Sequence, residues 1–252
     1  MRGARDGQRR GIVFIHGGLH TAWCWRRVVG LVSLPSVAID LPGRGLRPGQ
    51  PAALNTSDFV AAAAAEIDRT EWDDVVVVAH SLGGVTALGL CAAMPDRISH
   101  VVFISAVAPK PSERPIDELP ALLRWSADWS MRRQSRRPGG AFTLPTVIAR
   151  RMFCSDLDPS DTEAVLAHCV PETPAIALDR VPAAGIADQT ARTYIRLSTD
   201  RALYPRWQDQ MIANLAPVDV HHLMSGHDAM ISHPKEIAHI VNQTTKNSIS
   251  PT

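Results

Sequence analysis

Short runs rich in β-branched residues recur along the chain, and segments with helical spacing of apolar residues lie between them. This alternation is typical of a parallel sheet covered by helices on both faces. Residues 75–78 are four consecutive valines, which predicts a strand in the middle of a buried sheet, because such a strand is apolar on both faces. The predicted strands are 11–15, 37–39, 75–79, 100–105, 193–198 and 218–223. The predicted helices are 22–32, 58–70, 82–93, 203–215 and 234–242, the second with Thr56 or Ser57 as its cap.

The alternation stops between residues 109 and 190. This stretch has no convincing core strand, and it holds Trp125, Trp129 and several prolines. A long insertion between two sheet strands usually has a function, and here it predicts a mostly helical cap over the site. The predicted organisation is a disordered leader at 1–10, an α/β core at 11–108 and 191–242, a helical cap at 109–190 and a flexible tail at 243–252.

Composition narrows the class of protein. A chain of 252 residues with 45% hydrophobic and 20% charged residues is long enough for one sizeable globular core. A net charge of +1 gives no field that would attract nucleic acid or an anionic membrane. The expected partner is therefore a small-molecule substrate, and a homodimer is one open option for the assembly.

The four cysteines have no short paired spacing, so the sequence indicates neither a zinc site nor a disulfide framework. No apolar run approaches the roughly 20 residues that cross a bilayer. The basic, polar N-terminus is not followed by an apolar core, so we do not interpret it as a secretory signal. These features favour a cytoplasmic location and a protein without cofactor or metal.

Ser81 is the first candidate for chemistry. It lies in residues 79–84, Ala-His-Ser-Leu-Gly-Gly, directly after the four-valine strand and at the start of a helical segment. A sharp strand-to-helix turn needs small residues two before and two after its centre, and Ala79 and Gly83 occupy those positions. The turn predicts an exposed nucleophilic hydroxyl. The alternative is an ordinary strand–turn–helix connection with an incidental serine.

A serine hydroxyl needs a base to take its proton. Asp200 follows one predicted strand and His227 follows another, so both lie at the carboxyl ends of strands, the edge where Ser81 emerges. Their order along the chain, serine, acid, histidine, is that of hydrolases built on such turns. The acid would hold the imidazole in the correct tautomer. Alternatively, Asp200 caps the following helix and His227 is a turn residue.

A metal site is a further alternative, with His221 and His222 joined by His227 or His233. Adjacent strand residues point to opposite faces, and no cysteine or glutamate accompanies them, so this alternative is weak.

Two backbone N–H groups are the expected donors to the oxyanion of a tetrahedral intermediate. One belongs to Leu82, directly after the serine, and the other to Gly18, in the His-Gly-Gly sequence after the first predicted strand. The alternative is that Gly17 and Gly18 only let the chain turn tightly.

These segments resemble the α/β-hydrolases, and within them the plant methylesterase and hydroxynitrile lyase group with its bacterial relatives. The resemblance spans about residues 11 to 241 and implies the α/β-hydrolase fold, with Ser81 as nucleophile, Asp200 as acid and His227 as base. It also implies the N–H groups of Gly18 and Leu82 as oxyanion donors. The carrying segments are 14–25, 79–84, 154–165, 194–208 and 226–234.

Two departures separate this chain from the lyases of that group. The lyases carry lysine directly after the catalytic histidine, where this chain has Asp228, and threonine in the first loop, where it has Gly17. Lyase activity of that type is therefore not expected. By the same resemblance, Leu19, His20 and Trp125 are expected to line the substrate pocket.

The leading hypothesis is a serine hydrolase that cleaves a carboxylic ester, namely a methyl ester or lactone of a small, fairly apolar molecule, through an acyl-enzyme on Ser81. The alternative is carbon–carbon bond cleavage or cyclisation of a polyketide-like substrate by the same residues. A third hypothesis is a non-catalytic small-molecule receptor, against which the presence of all three catalytic candidates argues.

Overall fold

The computed structural model describes residues 9–45, 47, 50, 53–136 and 140–247. It contains a wholly parallel six-stranded sheet with the order β2-β1-β3-β4-β5-β6. The strands are β1 (Arg10–Ile15), β2 (Ser36–Ile39), β3 (Asp74–His80), β4 (Ile98–Ile104), β5 (Ala191–Leu197) and β6 (Asp219–Leu223). All six predicted strands are present, and the predicted α/β-hydrolase architecture is confirmed.

The four-valine segment lies in the sheet interior, where β3 pairs with β1 on one side and β4 on the other. Successive side chains of a strand point to opposite faces. Val75 and Val77 accordingly belong to one buried apolar cluster, and Val76 and Val78 belong to the other. Both faces of β3 are therefore buried, and its carboxyl end is held firmly in the middle of the molecule.

Helices cover both faces of the sheet. They are α1 (Thr56–Arg69), α2 (Gly83–Ala93), α3 (Ala121–Ser135), α4 (Thr146–Phe153), α5 (Pro159–Ala167), α6 (Ala175–Leu178), α7 (Pro205–Leu215), α8 (Ala229–Ser232) and α9 (Pro234–Asn247). Among these described helices, none is both long and apolar enough to span a membrane.

Three details of the helix prediction were wrong. The predicted helix 22–32 is instead two short 3-10 turns, Ala22–Trp25 and Val29–Leu31, in a stretch where β-branched residues and Gly30 disfavour a continuous helix. The cap of α1 is Asn55, whose side chain accepts from the N–H of Asp58, rather than Thr56 or Ser57. Helix α9 continues to Asn247, beyond the predicted end, because Thr244 and Thr245 are buried against the body of the protein.

Between β4 and β5 the described residues form a 3-10 turn, Pro115–Glu118, the α-helices α3 to α6, and an isolated antiparallel bridge between Phe142 and Glu172. The division of the chain into core and cap stays a prediction. Most of the predicted leader and the last five residues of the predicted tail lie outside the described residues.

Candidate active site

Ser81 is the first residue after β3, and its φ of +50° lies in the left-handed region that side chains rarely adopt. Close packing around the turn maintains this conformation. A Cβ atom on Gly83 would lie 2.6 Å from the carbonyl oxygen of His16, and one on Gly84 would lie 2.4 Å from that of Val107. The two glycines therefore let the start of α2 press against the neighbouring loops, which is the strained turn that the sequence predicts.

Asp200 and His227 lie in direct contact, both fully buried. Nδ1 of His227 lies 2.7 Å from Oδ2 of Asp200. The other carboxylate oxygen accepts from the backbone N–H groups of Ala202, at 2.7 Å, and Leu203, at 2.9 Å. Asp200 thus both stabilises the turn after β5 and orients His227. Because a carboxylate accepts, Nδ1 carries a hydrogen in this contact, and a ring with one hydrogen keeps the lone pair of Nε2 free.

Ser105 is a member of this network that the sequence analysis did not single out. Its hydroxyl donates to the same oxygen of Asp200 at 2.6 Å, from the position directly after β4. Burial alone would raise the pKa of Asp200. The charge of His227 and the hydrogen bonds from His227 and Ser105 outweigh burial and hold that pKa below its ordinary value. The signal that could have found Ser105 is its place at the end of the strand beside β3.

The loop after β1 brings Gly18 next to Leu82, since a Cβ atom on Gly18 would lie 2.7 Å from Cδ1 of Leu82. Within the described part of the chain, the backbone N–H of neither residue donates to a protein group. Leu19, with a φ of +64°, donates its N–H to Oε2 of Glu172 at 3.1 Å. Glu172 also forms a buried ion pair with Arg44. Glu172 therefore holds the loop after β1 in place.

A cavity of about 260 Å³ connects these elements. Ser81, Leu82, Gly18, Leu19 and His227 all contribute to its lining. Most of the other lining residues are apolar, and they include Phe142, Met152, Phe153, Ile176, Trp207 and Met211. The charged residues of its described lining, Glu118 and Glu172, are both acidic. A small apolar molecule that enters this cavity would meet a serine, an imidazole and two unpaired N–H groups.

The model of the alpha/beta hydrolase family matches residues 12–240. The chain belongs to this family. Methylesterase 18 of Arabidopsis thaliana is 25% identical to this hydrolase, over 95% of its chain and 98% of the relative. The rice esterase PIR7B (Oryza sativa subsp. japonica) is also 25% identical, and the alignment covers 92% of this chain and 94% of the esterase. The structure of an extracellular α/β-hydrolase from a Paenibacillus species has a TM-score of 0.81 and 20% identity, and the alignment covers 92% of this chain and 98% of that one.

Two of the three expected pocket residues of this hydrolase lie elsewhere. Leu19 lines the cavity, whereas His20 and Trp125 are absent from its described lining. His20 is buried, and its ring is held by the carboxylate of Asp228, at 3.1 Å from Nε2 to Oδ2. The side chain of Trp125, on α3, is 70% exposed. These two expectations came from the resemblance alone, and a substrate contact by either residue stays a prediction.

At the cavity wall of the hydrolase, His227 forms a buried group with His80 and Asp228, whose candidate ligand atoms lie within 4.8 Å of one another. This group differs from the set that sequence reasoning considered. His80 donates from Nε2 to the carbonyl oxygen of His227 at 3.0 Å. Burial, with the nearby charge of His227, lowers the pKa of His80 well below its ordinary value, so the ring is neutral. Since His227 already binds Asp200 and Asp228 already binds His20, each member has at most one atom left for an ion.

Proposed function

We propose that this α/β hydrolase cleaves a carboxylic ester of a small, apolar, uncharged molecule, a methyl ester or a lactone, through an acyl-enzyme on Ser81. The observation that carries the proposal is the 2.7 Å contact between His227 and Asp200 at the wall of a cavity that Ser81 also lines. The names of the relatives, methylesterase and esterase, support the ester class. The apolar lining of the cavity supports the apolar character of the substrate.

In the proposed reaction, Nε2 of His227 takes the proton of Ser81 Oγ while Oγ forms a bond to the ester carbonyl carbon. The carbonyl oxygen becomes an oxyanion, and the N–H groups of Gly18 and Leu82 donate to it. The bond to the alcohol oxygen then breaks, and the alcohol leaves with the proton from His227. Water attacks the acyl-enzyme by the same steps and releases the acid. Asp200 stabilises the imidazolium that forms in each half-reaction.

The surroundings of Gly17 argue against the lyase reaction of the related plant enzymes. A Cβ atom on Gly17 would lie 2.8 Å from Cβ of Ser81 and 3.0 Å from Nδ1 of His80. The threonine that the lyases carry at this position therefore does not fit beside Ser81 without a shift of the loop. The predicted cytoplasmic location and homodimer remain predictions.

Replacement of the proposed nucleophile tests this function. We expect Ser81→Ala to abolish hydrolysis of p-nitrophenyl butyrate, because no other hydroxyl takes the place of Oγ, and to leave the circular dichroism spectrum unchanged. The matched control is Ser160→Ala, at an exposed serine of α5, which should retain full activity. Ester hydrolysis by the Ser81 variant at the wild-type rate would refute the proposal.

A further inference from the structure

His20 makes hydrogen bonds from both nitrogens of its ring, and it is buried outside the described lining of the cavity. Nδ1 lies 2.8 Å from the carbonyl oxygen of Gly18, and Nε2 lies 3.1 Å from Oδ2 of Asp228. A carbonyl oxygen accepts and never donates, so Nδ1 must carry a hydrogen. A second proton must lie between Nε2 and the carboxylate. The pair therefore holds one proton more than a neutral imidazole beside an ionised aspartate.

Electrostatics assign that second proton to the ring. Burial alone would lower the pKa of His20, but the charge of Asp228 and the hydrogen bonds to Asp228 and Gly18 outweigh it, and the pKa is raised. Burial alone would raise the pKa of Asp228, but the charge of His20, its hydrogen bond and the nearby His227 hold that pKa below its ordinary value. The pair is an imidazolium beside a carboxylate, since an unpaired buried aspartate would be far more costly.

The groups around the pair come from several elements. Arg44, His16 and His80 face His20 from the loops after β2 and β1 and from the end of β3. Each would disfavour a positive charge on His20 when protonated, but Arg44 is paired with Glu172, and burial keeps His16 and His80 neutral.

Asp228 is faced by His227 and His80. Three thiols also face it, and their pKa values are raised first by burial and then by the charge of Asp228; they belong to Cys24, Cys154 and Cys169. Asp228 therefore has one fixed cationic partner, His20.

The pair connects two parts of the proposed machinery. At one end, His20 holds the carbonyl of Gly18, whose N–H is a proposed oxyanion donor. At the other end, it holds Asp228, the residue directly after His227. The ring of Phe153 contacts both histidines, in a T-shaped arrangement with His20 at a centroid distance of 4.9 Å and stacked with His227 at 5.6 Å. Movement of either partner would therefore shift both the base and the oxyanion donor.

We propose that His20 and Asp228 form a buried imidazolium–carboxylate pair that positions His227 and the Gly18 loop, so that kcat falls at alkaline pH when His20 loses its proton. The inference rests on the proposed function, since it takes His227 as the base. Both residues act as positioning residues, because neither lines the cavity. The sign follows from the raised pKa of His20: the pair is complete below the ordinary histidine pKa and is lost as pH rises through the raised value.

The kinetic test follows kcat and KM for p-nitrophenyl butyrate from pH 6 to pH 10, with the Ser81→Ala protein as the blank for spontaneous hydrolysis. We expect His20→Asn to lower kcat at neutral pH by between about tenfold and a hundredfold, the range for a small misplacement of reacting groups, with KM changed less than about twofold. The alkaline fall of the wild type should disappear in this variant. Asp228→Asn should lower kcat to a similar extent and should also lack the alkaline fall. The kcat of the double variant should be no lower than that of either single variant, because the two residues act as one unit. The matched control, His239→Asn at an exposed histidine of α9, should keep the wild-type profile.

A spectroscopic measurement tests the pair without activity. In ¹⁵N-histidine-labelled Ser81→Ala protein titrated from pH 5 to pH 10, the His20 signals are those that disappear in Ser81→Ala/His20→Asn. We expect this ring to carry hydrogens on both nitrogens at the acidic end and to lose the second one above the ordinary histidine pKa. A His20 ring that is already neutral at the acidic end would overturn the inference, as would an unchanged alkaline fall in the His20 variant. Activity that survives in Ser81→Ala would instead refute the proposed function, and the spectrum would still decide whether the pair exists.

Discussion

At the scale of single residues, the proposed base owes its orientation to one carboxylate with four hydrogen-bond donors. Oδ2 of Asp200 accepts from His227 and Ser105, and Oδ1 accepts from the N–H groups of Ala202 and Leu203. With every lone-pair direction occupied, the carboxylate cannot rotate away from the imidazole. The acid is fixed from the turn that follows it and from the neighbouring strand.

This network predicts graded losses of activity. Asp200→Asn should lower kcat by about 10⁴, because an amide lets the imidazole adopt the wrong tautomer. Ser105→Ala removes one of the four donors, and a hydrogen bond to a charged group stabilises by roughly 1.5–3 kcal/mol, so kcat should fall by about ten- to a hundredfold. Steady-state kinetics with p-nitrophenyl butyrate measure both. Equal rates for Ser105→Ala and the Ser160→Ala control would show that this hydroxyl has no part in the site.

Sequence reasoning found the residues whose position along the chain is itself a signal. Ser81 follows a strand of four valines, and Asp200 and His227 each follow a strand. Ser105 also follows a strand, β4, but no motif around it marks it as a partner of the site, and Glu172 follows no strand and belongs to no motif. Only the three-dimensional contact with Asp200, or with Leu19 and Arg44, gives them a role.

At the scale of elements, the strained turn at Ser81 depends on the close approach of α2 to the loop after β1. The hydrophobic pattern predicts β3 because both faces of that strand are buried. The same pattern failed for residues 22–32, which form two separate 3-10 turns. The first of these turns buries Cys24 and Trp25. Helical spacing alone does not reveal that a segment turns to follow the sheet.

Gly83→Ala tests the packing of this turn. The added methyl group would lie 2.6 Å from a backbone oxygen that cannot move aside like the end of a flexible side chain. We expect the free energy of unfolding to fall by about 1–3 kcal/mol, as for other overpacked core sites, and hydrolysis to be lost as the turn shifts. Urea unfolding followed by fluorescence measures the first effect.

The matched control for this variant is Gly30→Ala, where a methyl group would meet nothing within 4 Å. The free energy of unfolding of Gly30→Ala should stay within about 0.5 kcal/mol of the wild-type value. Equal stability of the two variants would contradict the packing that we describe around Ser81.

At the scale of the whole molecule, the cavity combines the carboxyl edge of the sheet with side chains from the region between β4 and β5 and from α7. The sequence predicts the sheet edge well but not the cavity wall, since residues such as Phe142 and Ile176 look like ordinary core residues until the chain is folded. The substrate class is therefore argued from the shape and charge of the cavity. The charged residues of its described lining are Glu118 and Glu172, and Glu172 is already paired with Arg44.

An anionic ester should be a poor substrate. We expect kcat/KM for p-nitrophenyl hexanoate to exceed that for mono-p-nitrophenyl glutarate by at least about tenfold at pH 8, because an apolar cavity with the acidic Glu118 in its lining disfavours a buried carboxylate. Glu118→Gln should narrow the ratio by raising the rate for the anionic ester. The control Glu163→Gln, at an exposed position of α5, should not change it. A preference for the anionic ester would contradict the proposed substrate class.

The central claim, that ester cleavage passes through an acyl-enzyme on Ser81, is tested most directly by covalent labelling. A p-nitrophenyl alkylphosphonate should add one adduct to the intact protein, and mass spectrometry of the peptides should place it on Ser81. His227→Asn should slow the labelling by at least about a hundredfold, since Oγ then lacks its base. A wild-type protein that hydrolyses esters while its adduct lies on another residue, or while no adduct forms, would contradict the account.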